Sequence, residues 1–219
     1  MNEDGMQFKN QALRGAKSLD YVLTQLGMEK ETDEKIMEWA TEMSLYGKGE
    51  LECNLVMLAN KLTNKVKKHF PKQYNVKLYT GLKDTKTYEE LANMTLQSID
   101  PSKQKKKIDQ INKLNVIHES YSLDELKEGD VGIGVFVKTE TSALTHVMNP
   151  IEYLLNIWNQ QKINHINYYM MIKKTKDGIF VFDPYRDDHK PYQVSNNEVV
   201  TDNRYAFNGT AMIVSKERV

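Results

Sequence analysis

The chain has a single cysteine, Cys53, among 219 residues. One thiol excludes an internal disulfide framework and any metal site built from several cysteines. Charge of one sign is not in excess either: 30 basic and 30 acidic side chains give a formal net charge of zero. A general nucleic-acid binder carries a basic surplus, so no nucleic-acid partner is expected. No apolar run approaches the roughly 20 residues of a membrane span. The opening Met1-Asn-Glu-Asp-Gly5 is acidic and has no apolar stretch behind it, which is not a signal-peptide pattern. The expected location is the cytoplasm, or outside it by a route without a cleaved signal. Glycine-rich phosphate loops are missing, and so are internal repeats and low-complexity linkers. No cofactor and no metal are expected. Asp187-Asp188-His189 reads as a polar turn rather than a metal cluster.

Apolar residues at helical spacing dominate the first part of the chain. Leu19, Val22, Leu23 and Leu26 mark a helix over 13–26 that Gly27 stops. A second is predicted from Thr32, as N-cap, to Leu45. A third runs from Cys53 to about Phe70, where Pro71 ends it. Further helices are predicted over 87–98, over 108–116 and from Asn149-Pro150 onward. The basic run Pro101–Lys107 reads as a solvated loop or helix face, with a docking patch for an acidic partner as the alternative. Strand patterns concentrate later. Tyr74–Tyr79 alternates, Val131–Val137 is β-rich and Ala211–Val214 is a last strand. Ile166–Lys173 and Ile179–Phe182 form a hairpin around the Thr175-Lys-Asp-Gly178 turn. Helices first and strands later make an α+β fold. We read one domain over 1–219, with a mainly helical half (1–118), a β-rich half (119–219) and a cleft between them.

Cys53 stands where the loop Gly47-Lys-Gly-Glu-Leu-Glu becomes the third helix. A thiol at a helix N-terminus is biased toward thiolate, the nucleophilic form. The alternative role for a lone cysteine is that of a small buried hydrophobe. His165 opens the first hairpin strand and Asp183 closes the second, so both fall at the open end of the hairpin. The carboxylate can hold the imidazole in one tautomer, and the imidazole can take the thiol proton. If the Cys53 helix packs across that sheet end, Cys53, His165 and Asp183 form a nucleophilic triad. The Cys53 backbone N–H is then half of an oxyanion hole. His146 is a second candidate base, without a paired carboxylate. His69, His118 and His189 read as surface or capping residues.

This order resembles the papain-like cysteine peptidases, in particular the C39-like peptidases and the papain-fold toxins and effector deamidases. The resemblance rests on the cysteine opening a helix, His165 before an apolar strand, Asp177-Gly178, a second apolar strand and Asp183-Pro184. It covers the Cys53 helix and roughly residues 120–215. It implies a papain-like fold and hydrolysis of an amide bond in a protein or peptide, by a peptidase or a glutamine deamidase. The family's glutamine before the cysteine is missing, with Glu50 and Glu52 nearby instead, so Asn54 or a loop amide becomes the candidate second oxyanion donor. A transglutaminase or acyltransferase with the same triad order is an enzymatic alternative. A non-catalytic protein-binding module of the same fold, with Cys53 in its core, is the alternative from another class.

Overall fold

The structure, a computed structural model, describes residues 11–46, 50–81, 101–139, 167–185, 190–195, 198–200 and 204–217, together with residues 89, 92, 93 and 95. The chain is α+β. Helix α1 (Gln11–Gln25) buries Ala12, Ala16, Leu19, Val22 and Leu23 along one side. Gly27, at φ +98, turns the chain out of the helix, and the Met28 N–H returns to the Leu23 carbonyl at 3.1 Å. Helix α2 (Asp33–Met43) starts after Thr32, whose hydroxyl accepts from the Lys35 N–H at 3.3 Å. A small hairpin follows, β1 (Ser44–Tyr46) with β2 (Glu50–Cys53), in which Ser44 pairs with Cys53. Helix α3 (Leu55–His69) comes next, and Lys72, at φ +62, turns the chain into β3 (Tyr74–Thr80). Helix α4 (Pro101–Ile111) then takes in the basic run, with proline at its first position. The helices expected over 87–98 and after Asn149 lie outside the described residues or nearly so.

Among the described residues the larger sheet has eight strands in the order β4-β3-β10-β5-β6-β7-β8-β9, with β4 (Val116–Ile117), β5 (Val131–Thr139), β6 (Asn167–Thr175), β7 (Gly178–Phe182), β8 (Tyr192–Ser195), β9 (Glu198–Val200) and β10 (Arg204–Lys216). All pairings are antiparallel except β3 with β4. Strand β10 also pairs with β9 through Arg204–Ala206. Six strands therefore close on themselves, and the far edge of the sheet is lost. The hairpin is built as its sequence pattern predicts, with Thr175 opposite Gly178.

Two cores flank this sheet, because its central strands are buried on both faces. Along β6, Tyr168, Met170 and Ile172 enter one core, while Tyr169 and Met171 enter the other. The period of two in side-chain direction produces that split. The first core joins the helices to the sheet through Leu19, Trp39, Leu58, Ile133 and Met212. The second fills the closed strands with Phe136, Ile172, Val181 and Ile213. At roughly 25 cal/mol per Å² of apolar surface, each large side chain so buried contributes about 1.5–3 kcal/mol. Helix α1 packs on β6 and β5, whereas α3 packs on α1 and, among the strands, chiefly on β3. That difference decides which helix reaches the open end of the hairpin.

Candidate functional site

Asp183 follows β7 at the open end of the hairpin, as expected. The helix that meets it is α1, not the helix after Cys53, because α1 lies across β6 and α3 lies over β3. The side chain that α1 delivers is Arg14. Its Nη1 donates to the Asp183 Oδ1 at 2.6 Å, and the two side chains are only 13% and 12% exposed. The same carboxylate oxygen accepts the Tyr185 backbone N–H at 3.0 Å, closing a short turn after the strand. The guanidinium lies 4.8 Å from the Tyr168 ring centre and 4.6 Å from that of Tyr185. Lys17, one turn on, sets its ammonium 4.5 Å from the Tyr185 ring centre. Tyr205 stacks edge-on against Tyr168 at 5.0 Å. A planar cation between two ring faces with a carboxylate at its rim is a well-held arrangement. Arg14 Nε is buried and has no hydrogen-bond partner among the described residues.

Burial raises the phenol pKa of Tyr168, with Arg14 opposing and the Asp183 charge adding to the rise. Tyr185 is pushed up to about 12 by burial, again against Arg14. Burial likewise takes Tyr205 up to about 12. With Tyr168 buried and Tyr185 and Tyr205 partly covered, a phenolate would lose hydration, so these hydroxyls stay neutral over the physiological range.

Cys53 is placed otherwise than its sequence context predicts. It is the last residue of β2, and the helix N-cap is Asn54, at φ −72 and ψ 109. The thiol is therefore one residue before the helix cap and two before the first helical residue. It is 5% exposed and belongs to the first core. Gly15 of α1 lies over it so closely that a Cβ built there would sit 2.5 Å from the sulfur. Burial pushes the Cys53 thiol pKa up, the opposite of the expected thiolate bias. The Cys53 carbonyl accepts the Tyr169 hydroxyl at 3.0 Å, which ties β2 to β6. Ser18 fixes the same region of β6 from α1, donating to the Tyr169 carbonyl at 2.9 Å.

Asn54 is not a free oxyanion donor. Its side-chain oxygen accepts from the N–H groups of Val56 and Met57 at 3.0 and 3.2 Å, and its Nδ2 donates to the Thr95 hydroxyl at 2.8 Å. Its backbone N–H donates to the Met43 carbonyl at 2.8 Å. With 2% exposure it is a buried helix cap. His165 and His146 lie outside the described residues, as does Asp187-Asp188-His189. Among the described residues no group of three or more His, Cys, Asp or Glu is arranged to hold a metal ion, and no helix is long and apolar enough to cross a membrane.

Sequence reasoning missed Arg14. The signal that was available is its neighbour, since Gly15 interrupts a strong helix pattern at a cost of about 1 kcal/mol relative to alanine and so marks a close approach. Comparison with protein-family models, with curated proteins and with solved structures gives no match.

Proposed function

We propose that this chain is a non-catalytic protein-binding module of papain-like architecture, in which Cys53 is a core residue. The observation that carries the reading is the pairing at the sheet end. An arginine held between two tyrosines takes the Asp183 carboxylate, while the only thiol of the chain is covered by Gly15. A nucleophile must reach a carbonyl carbon, and a sealed, protonated thiol cannot. The layout of helices followed by antiparallel strands, with Asp183 at the hairpin's open end, supports the papain-like part of the proposal. The competing proposal is an amide hydrolase using Cys53, His165 and Asp183, and it requires α1 to move off the sulfur.

Iodoacetamide separates the two. In native protein, alkylation of Cys53 is expected to be absent at pH 6 and to stay slow through pH 9, where an ordinary thiol with pKa near 8.5 is largely ionised. Denaturation should expose it at once. The sign follows from burial: a raised folded-state pKa keeps the proton on folded Cys53 while the unfolded chain loses it, so Cys53 lowers stability as pH rises past about 8.5. Rapid native alkylation at pH 6, with hydrolysis of a peptide library that Cys53→Ala abolishes, would overturn the module and restore the hydrolase.

A further inference from the structure

Helix α1 brings two cations to the sheet end, and only one of them is paired there. Arg14 takes Asp183. Lys17 has no hydrogen bond or ion pair among the described residues, and its ammonium rests only on the Tyr185 ring. Side chains at i and i+3 are neighbours on a helix surface, so the two cations leave α1 side by side. Both reach the same ring, the guanidinium at 4.6 Å from its centre and the ammonium at 4.5 Å. With Asp183 as the one carboxylate of this cluster among the described residues, a positive charge is left over. Lys17, Tyr185 and Tyr205 are each partly exposed, which puts that charge within reach of a partner.

The ion pair is itself only half used. Nη1 makes the one hydrogen bond of Arg14 among the described residues. Nε and Nη2 form the other edge of the guanidinium, which matches the two oxygens of a carboxylate. Nε is buried without an acceptor, and an unsatisfied donor on a charged group is costly. An oxygen set between Nη2 and Nε would supply that acceptor after a small shift of the guanidinium. Across the pair, Asp183 accepts from Arg14 and from the Tyr185 N–H on the same oxygen, Oδ1, and Oδ2 accepts nothing among the described residues. A donor edge, an unpaired ammonium and an open acceptor therefore stand together against tyrosine rings. Tyrosine and arginine are the side chains on which protein interfaces most often depend.

Such a set fits a carboxylate with an N–H close behind it. The last residue of a polypeptide carries both, one carbon apart, whereas an aspartate or glutamate side chain holds its carboxylate farther from its own N–H. The charge left over at the site also favours a chain end, a monoanion, over a free amino acid, which is a zwitterion.

We propose that Arg14, Lys17 and Asp183 bind the C-terminal carboxylate of a partner protein. The carboxylate lies between the open edge of Arg14 and the Lys17 ammonium, the last backbone N–H donates to Asp183 Oδ2, and the last side chain packs on the tyrosine rings. This choice of ligand rests on reading the chain as a protein-binding module.

The probe is the fluorescein-labelled hexapeptide Gly-Ser-Gly-Ser-Ala-Leu with a free C-terminus, titrated with the full chain and read by fluorescence anisotropy. Saturable binding is expected. Amidation of the C-terminus should weaken it about tenfold, since it removes the charge and one oxygen. Lys17→Glu should also weaken it about tenfold, and Lys17→Gln about threefold. Neither variant removes a hydrogen bond, and circular dichroism checks that each folds; if the first does not, the second serves. Lys176→Glu, in the hairpin turn at the other end of the strands, should leave binding unchanged. No saturable binding, equal binding of the free and amidated peptides, or binding unchanged by the folded Lys17 variants would overturn the proposal. Equal or tighter binding of an amidated hexapeptide with an internal glutamate would overturn it in favour of an acidic side chain. Competition by free leucine at the concentration of the unlabelled peptide would overturn it in favour of an amino-acid site. Mass spectrometry of the probe after titration separates this outcome from the fate of the module. Cleavage of the peptide would overturn the non-catalytic reading, whereas an intact peptide bound without regard to its carboxylate overturns only the terminus site.

Discussion

Gly15 and Cys53 should behave as one packing unit, and a double-mutant cycle measures this. A Cβ at residue 15 would fall 2.5 Å from the sulfur, nearer than any real side-chain contact tolerates. Gly15→Ala therefore overpacks the first core, at about 2 kcal/mol. It also gains about 1 kcal/mol, because alanine suits a helix interior better than glycine. The single variant should be destabilised by about 1 kcal/mol net. Cys53→Ala removes one buried sulfur and leaves a small void, costing about 1 kcal/mol. Independent effects would add to about 2 kcal/mol. In the double variant, however, the new methyl enters the space the sulfur left. The overlap and the void cancel, and the helix gain remains. Its stability should lie within about 1 kcal/mol of the parent or above it, a coupling of about 2–3 kcal/mol. Urea unfolding followed by circular dichroism reads all four proteins, and equal m-values would license the comparison. Simple additivity would refute the contact between α1 and the thiol, and with it the argument that Cys53 is sealed.

Two further perturbations probe the ends of α1 and α3. Arg14→Met keeps the aliphatic stem between Tyr168 and Tyr185 but leaves Asp183 without its cation. A loss of about 2–3 kcal/mol is expected, below the 3–5 of a fully buried pair because both side chains keep some exposure. Adding Asp183→Asn should recover much of it in the same urea assay; no loss in Arg14→Met would mean that the ion pair contributes nothing. Asn54→Ala removes an acceptor shared by two N–H groups of α3 and should cost about 1–2 kcal/mol. Asn54→Asp keeps that acceptor but loses the donor to Thr95 and buries a carboxylate, which the positive end of α3 partly offsets, so it should fall between. Equal losses in the two Asn54 variants would argue against the cap.

Much of the secondary structure was legible because it follows from local pattern. Leu19, Val22, Leu23 and Leu26 announced α1, and Gly27 its end. Tyr74–Tyr79 and the Thr175–Gly178 turn announced β3 and the β6–β7 hairpin. The position of Asp183 at the hairpin's open end follows from counting residues along two paired strands. The short strands β8 and β9 escaped notice, since three or four residues carry too little periodicity to separate strand from loop. The helix expected from Cys53 starts two residues later, at Leu55, with Asn54 as its cap. Both Cys53 and Asn54 can precede a helix, and which of them caps it depends on the N–H groups that the Asn54 side chain captures.

What the sequence alone determined is the α+β class, the hairpin and the charge balance. These rest on residue type and spacing within short windows, where neighbours in the chain are neighbours in space. Which helix crosses the sheet end was decided only by the tertiary packing, through the fit of Gly15 over Cys53 and the reach of Arg14 to Asp183, 169 residues away in sequence. The state of the thiol followed from that packing, because ionisation depends on whether water can reach the sulfur, and water access is a property of the whole folded surface around it.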